Sequence, residues 1–223
     1  VTVAQSALLL TYWHPNPSIN SKQHVNTAWL RIAIEHARAA GADKASQSEL
    51  DTKPGAPKAK VNGKNKDTLR RLWWCCIIRD RIMPLCTRRA IQITDANFDF
   101  KSHAPLSIEE LADDTGASKV HDAVTRRSLA TIFVSLAELC LVLTEVCSLI
   151  YPAETMEILA SRVSQEALLS RHRLAQSRLS EWSQKAGKDL ARVLDAAESE
   201  RARGSDQATH VILQANLLRI YYQ

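Results

Sequence analysis

A chain of 223 residues with 29 basic and 24 acidic side chains carries a formal charge of +5, and 45% of its residues are apolar. That length houses one large domain or two small ones with a sizeable core, so neither disulfide staples nor a structural metal is needed to fold it. The charge excess is too mild to demand a polyanionic partner, and 6 Gly and 7 Pro against plentiful Leu, Ala, Arg, Glu and Gln favour helix over sheet.

The 5 cysteines do not make a disulfide framework. Cys75 and Cys76 are neighbours. Cys140 and Cys147 fall on one predicted helix, roughly 10 Å apart along its axis, beyond the ~7 Å reach of a disulfide. Reduced, buried thiols in a reducing compartment are expected. The chain opens VTVAQSALLL, without a charged leader segment and without Met, so a piece of a longer, unsecreted protein is expected.

Residues 1–13 form an apolar, helix-compatible run that Pro15 and Pro17 end. From Lys22 to Ala40, Val25, Trp29, Ile32, Ala33, His36, Ala37 and Ala40 share one helical face, and Gly41 supplies the left-handed stop. The short connection predicts antiparallel neighbours. Residues 42–66 are rich in Lys, Pro, Gly and Ser and read as a flexible basic loop.

Helical spacing resumes near Asp67, the expected N-cap, and puts Leu69, Leu72, Trp73, Cys76, Ile77 and Asp80 on one stripe. Arg70, Arg71, Ile78 and Arg81 occupy the other side less cleanly, so the helix is buried on more than one face. Pro84 predicts a kink or stop, and Ile91 to Phe100 reads as extended. Ser107 with Glu110 is a capping box for a short helix through about Asp113, and Gly116 and Ser118 break the chain after it.

The longest predicted helix spans 119–151. Its segment Leu129–Tyr151 holds only Glu138 and Glu145 as charges, so a membrane span competes with the core helix of a bundle. Two central glutamates are expensive in lipid and favour the bundle. After Pro152, Glu154–Lys185 is amphipathic, with Ile158, Leu159, Val163, Ala167, Leu168, Leu174 and Trp182 as its buried set. Residues 187–207 read as a second charged loop broken at Gly204 and Ser205, followed by a final helix burying Val211, Ile212, Ala215, Leu218 and Tyr222. The expected fold is all-α: a single domain over 1–223 of seven or eight helices around a long central apolar helix.

No pattern argues for catalysis. His14, His24, His36, His103, His121, His172 and His210 are scattered, with no Cys-x-x-Cys or paired-His spacing for zinc. Asp95-x-Asn97-x-Asp99 fails as a calcium loop, because Phe100 stands where Gly is required and Leu106 where Glu is required. There is no glycine-rich phosphate loop and no nucleophile elbow. Glu109, Glu110, Asp113 and Asp114 are accounted for by a helix N-terminus. Arg70, Arg71, Arg79, Arg81, Arg88 and Arg89 around Trp73 and Trp74 admit a nucleic-acid face, yet so apolar a helix favours internal ion pairs with Asp80 and the acids of 95–114.

Arg70-Arg71-Leu72-Trp73-Trp74, then Arg79-Asp80-Arg81, Arg88-Arg89, Ile91-Gln92-Ile93 and Asn97-Phe98-Asp99 together form a fairly specific signature. This run resembles the fungal-specific transcription factor domain, the regulatory middle homology region of zinc binuclear cluster activators. It is most similar to the cutinase transcription factor branch. The first helices are also similar, through Ala4-Gln5 to Leu10 with Tyr12-Trp13, and Trp29 to Gly41. The family has a Gly before its arginines and a Pro after them; here Leu85-Cys86-Thr87-Arg88-Arg89-Ala90 predicts a differently shaped turn, with Pro84 compensating.

The resemblance implies an all-helical regulatory module of a nuclear transcription factor and no enzyme. It carries no cofactor in this chain, with zinc expected only in the absent DNA-binding region and DNA contacted only through the full-length protein. Expected partners are a small-molecule effector, transcriptional coregulators or a second copy in a homodimer, with no membrane. Trp74, Cys75, Ile78, Phe133, Leu136, Cys140 and Leu143 are the candidate pocket lining, with ordinary core packing as the competing reading.

Overall fold

The computed structural model describes residues 1–13, 25–45, 63–103, 105–112, 120–152 and 164–220. Among these residues there are eight helices and no strand. They are α1 (Thr2–Leu10), α2 (Val25–Ala39), α3 (Ala42–Ala45), α4 (Gly63–Thr87), α5 (Ile108–Ala112), α6 (Ala123–Ile150), α7 (Gln165–Ala202) and α8 (Asp206–Ile220). The chain divides into two compact units. The first is Val1–Ala104 with Ile150–Ala153, and the second is Pro105–Leu149 with Glu154–Gln223.

In the first unit α1 packs on α2, and α2 and α3 pack on α4. Helix α1 presents Ala4 and Ala7, small enough for close approach. Helix α2 buries Leu30, Ala33, Ile34 and Ala37. That stripe is rotated from the expected one: His36 is exposed, while Val25, Trp29 and Ile32 are half-buried. The 30/33/34/37 spacing buries two aliphatic chains and no imidazole, which is the cheaper face to desolvate. Gly41 ends the helix as expected, at φ +77° with its N–H donating to the Arg38 carbonyl.

Helix α4 begins at Gly63, so Asp67 is an interior residue rather than an N-cap. The expected basic loop of 42–66 is therefore helical at both ends, in Ala42–Ala45 and from Gly63 onward; its middle lies outside the described residues. Pro84 does not stop α4, which runs on to Thr87. Pro84 still removes the bond that its N–H would make to the Asp80 carbonyl, but its own carbonyl accepts the Arg88 N–H at 2.8 Å and closes the last turn. The Thr87 hydroxyl donates to the Met83 carbonyl at 2.9 Å, and Arg88, at φ +52°, makes the left-handed exit. After it, 91–100 is irregular, with a turn over 95–97 in place of the expected extended run.

In the second unit the capping box of α5 forms in both directions. The Glu110 N–H donates to Ser107 Oγ at 3.2 Å, and the Ser107 N–H donates to the Glu110 carboxylate at 2.6 Å. Asp122 caps α6 by accepting the Thr125 N–H at 2.7 Å. Helix α7, at 38 residues, exceeds the 28 of α6, so the longest helix is not the apolar one. Most of the expected charged loop of 187–207 belongs to it. Ala186, Leu190, Val193 and Ala197 form a buried stripe among the charges, and the break is confined to 203–205, with Gly204 at φ +91°. Helix α8 folds back along α7 and buries Ala208, Val211, Ala215 and Leu218; Ile212 is half-buried, and Tyr222 lies outside the described residues.

The register of α6 on α7 is set by charge and one indole. Glu145 pairs with Arg178 at 2.9 Å and Glu138 with Lys185 at 2.6 Å, so as one chain ascends the other descends. The Trp182 indole, between the two bases on α7, donates its N–H to the Ser135 carbonyl of α6 at 3.0 Å. By length and composition alone α6 is apolar enough to cross a membrane. Its two carboxylates instead meet bases from a neighbouring helix, the arrangement of a protein core rim.

Candidate functional site

The tryptophan helix carries the family signature, and its chemistry is built from α4 outward. Leu69, Leu72, Trp73, Cys76, Ile77 and Asp80 are all buried, as their spacing predicts; Trp74, Ile78 and Arg81 are buried as well. Both paired indoles are fully buried, and neither Nε1 finds an acceptor among the described residues. Each forfeits a hydrogen bond worth about 1–3 kcal/mol when the donor is buried, so the rings are kept for their apolar area. Trp73 meets the Phe98 ring at 5.4 Å and the Arg38 guanidinium at 5.5 Å.

Asp80 and Arg81 form a buried ion pair at 2.6 Å. The carboxylate accepts the backbone N–H groups of Gln92 and Ile93 at 2.9 Å, while Arg81 donates to the Ile93 carbonyl at 2.6 Å. Adjacent residues of one helix thus clamp both polarities of a loop strand. Burial pushes the Asp80 carboxyl up, against the pull of Arg81 and the two amides. The same burial raises the Cys75 thiol to about 11 and, with the nearby Cys75 and Asp80 charges, the Cys76 thiol to about 12. These thiols are packing groups, not nucleophiles.

Arg79, also in the signature, departs from the expected carboxylate bracing. Arg79 donates to the hydroxyl and carbonyl oxygens of Thr11 and lies 4.0 Å over the Tyr12 ring, tying α4 to the end of α1. Arg70 and Arg71 are half-buried. Arg88 and Arg89 are exposed, and no carboxylate or carbonyl pairs with either guanidinium among the described residues. Arg38, which sequence reasoning did not single out, donates to Asn97 at 2.9 Å. Asn97 also donates to the Gln92 carbonyl and accepts the Thr94 N–H. Signature residues 92–99 are thus one hydrogen-bonded turn pinned to α4 and α2.

The seven candidate pocket residues are divided between the units: Trp74, Cys75 and Ile78 in the first, Phe133, Leu136, Cys140 and Leu143 in the second. Cys75, Phe133 and Leu136 are half-buried and the others buried. None of them lines the groove of 870 Å³ that α5, α6 and α7 form within the second unit. Ile108, Val124, Val134 and Val193 give this groove apolar walls, and Ser128 and Thr131 give it hydroxyls. Arg126, Arg127, Lys185 and Arg192 face Glu109, Glu138 and Asp189 around it. Glu109, Val124, Arg127, Lys185 and Arg192 are exposed, so the groove is open to solvent. No sequence signal marks it, because its lining comes together from three helices. Among the described residues no three or more His, Cys, Asp or Glu side chains gather as a metal site.

Comparisons with known proteins agree with the signature. The family model for the fungal specific transcription factor domain matches residues 1–184. The chain is 31% identical over 147 residues to cutinase transcription factor 1 beta of Fusarium vanettenii, covering 63% of this chain and 15% of that protein. It is 30% identical over 151 residues to a transcription factor of Fusarium pseudograminearum, again covering 63% of this chain and 15% of the relative. A shorter match, 31% identical over 72 residues, is to an uncharacterized transcriptional regulatory protein of Schizosaccharomyces pombe, covering 32% of this chain and 9% of that protein. No solved structure matches the chain. The stretch shared with each relative is a small part of that relative's length. The family model's span of 1–184 includes the tryptophan helix and its clamp, and the chain belongs to the fungal specific transcription factor domain family.

Proposed function

We propose that this chain is the effector-binding regulatory module of a longer nuclear transcription factor whose zinc-bound DNA-contacting region lies outside it, and that it has no catalytic role. The observation that carries this reading is the 870 Å³ groove of the second unit, whose size suits a small molecule and whose apolar walls alternate with hydroxyls and charges. An effector seated there touches α5, α6 and α7 together. It therefore favours one packing of these helices over another and shifts the population that the transcription machinery meets. The seven residues first considered as pocket lining serve as core in this reading.

The alternative, a ligand-independent dimerisation or coregulator-binding module, draws support from α1 and its exit. Leu9 is 72% exposed, and Tyr12 and Trp13 are each 55% exposed. Native mass spectrometry of the purified chain incubated with a metabolite extract separates the two. A retained adduct that is lost in Val134→Trp, which fills the groove, is the expected result. A dimer, or a bare monomer, with no adduct would discard the effector reading.

A further inference from the structure

The left-handed exit of α4 places one cation where the local backbone would prefer glycine, with a second cation next to it. Arg88 stands at φ +52°, a position that glycine or asparagine takes without strain. The turn is held on both sides: the Arg88 N–H donates to the Pro84 carbonyl at 2.8 Å, and just downstream Asp80 grips the amides of Gln92 and Ile93. Between these anchors Arg88 and Arg89 are exposed, with no partner for either guanidinium among the described residues. Leu85, 39% exposed, and the exposed Cys86 lie in the same turn of α4.

This contrasts with the other described signature arginines of the first unit, all of which are at least half-buried. A hydrogen-bonded turn that keeps a strained arginine, unpaired among the described residues, beside a second one and an apolar edge fits a recognition element. We propose that Arg88, Arg89 and Leu85 form a docking site for an acidic, leucine-bearing peptide segment, with the two guanidinium groups pairing its carboxylates. The inference stands on the first unit alone and does not depend on the groove reading. A nucleic acid suits the site less well, because its phosphate backbone offers no apolar group to the exposed Leu85.

The test is fluorescence anisotropy with the 223-residue chain and a labelled peptide in which Glu and Asp alternate with Leu. A 20-base-pair duplex (about two helical turns) serves as competitor, in steps of salt. Arg88→Gly combined with Arg89→Ala removes both charges while giving the turn the residue its backbone favours, and melting by circular dichroism checks that the fold persists. The expected outcome is peptide binding by the unaltered chain that weakens by at least ~10-fold in the double variant, with Leu85→Ser weakening it less. No peptide binding by the unaltered chain, equal binding by the double variant, or complete displacement of the peptide by the duplex at matched charge would each overturn the proposal.

Discussion

In α4, Asp80 is 1% exposed and Arg81 0%; in α6, Glu138 and Glu145 meet side chains of Lys185 and Arg178 that are 60% and 55% exposed. Both helices are long and both carry charge in the middle, yet they handle it in opposite ways. The charges of α4 are desolvated, and backbone amides and a carbonyl complete their hydrogen bonding. Those of α6 stay at the rim, where water shares the work and the pairing mainly selects one antiparallel register over its neighbours. The first arrangement makes a segment of loop inseparable from its helix. The second leaves the pairing of α6 with α7 open to screening by salt.

The contrast is broken most directly at the indoles. Trp73→Ala or Trp74→Ala removes a fully buried ring and is expected to cost about 3–5 kcal/mol, seen as a large fall in melting temperature. Unchanged melting of both variants would put the rings on a surface. Asp80→Ala leaves Arg81 buried without its counter-charge and is expected to cost about 3–5 kcal/mol. Asp80→Leu with Arg81→Met should recover much of that loss, because an apolar pair carries no desolvation penalty. If the double variant is no better than the single, the loop clamp rather than the buried charge dominates.

Burial of thiols sharpens the same comparison. Cys75 and Cys76, raised from 9.0 to about 11 and about 12, stay protonated in the folded chain after unfolded thiols have ionised. The stability this linkage supplies is whole below pH 9 and is lost as pH rises towards 11 and 12. Alkaline melting curves should show that decline, and Cys75→Ala with Cys76→Ala should flatten it. A thiol reagent at neutral pH should titrate exposed Cys86 at once and the buried cysteines only on unfolding.

The remaining effects are small. Arg88→Gly relieves the left-handed strain and is expected to stabilise by about 0.5–1 kcal/mol, the difference between the strain and the entropy cost of glycine. A loss of stability would show that the guanidinium braces the turn after all. Glu138→Ala should cost about 0.2–1 kcal/mol, with the effect fading in high salt. A cost as large as that of Asp80→Ala would mean the rim pair is not screened by solvent.

Local chemistry was legible in the amino-acid order wherever one short segment decides the outcome. The stripe of Leu69, Leu72, Trp73, Cys76 and Ile77, the box of Ser107 and Glu110 and the stop at Gly41 each need only neighbours within one or two helical turns. Two expectations along the helices were displaced. At 187–202 abundant charge hid a buried stripe, because helix-forming charged residues leave the apolar face intact. At Pro84 the expected stop came three residues later, at Thr87, where Arg88 makes the left-handed exit.

What the sequence by itself determined about this protein is its helical class, its family and which face of α4 is buried, since periodicity and propensity act along the chain. Only the tertiary structure decided that Asp80 and Arg81 grip the backbone of 92–93, that Arg79 serves Thr11, that Arg88 and Arg89 remain unpaired, and that a groove opens between α5, α6 and α7. Those outcomes depend on which distant groups arrive within hydrogen-bonding range, and the free energy of desolvating a charge is fixed by that arrival and not by the order of residues around it.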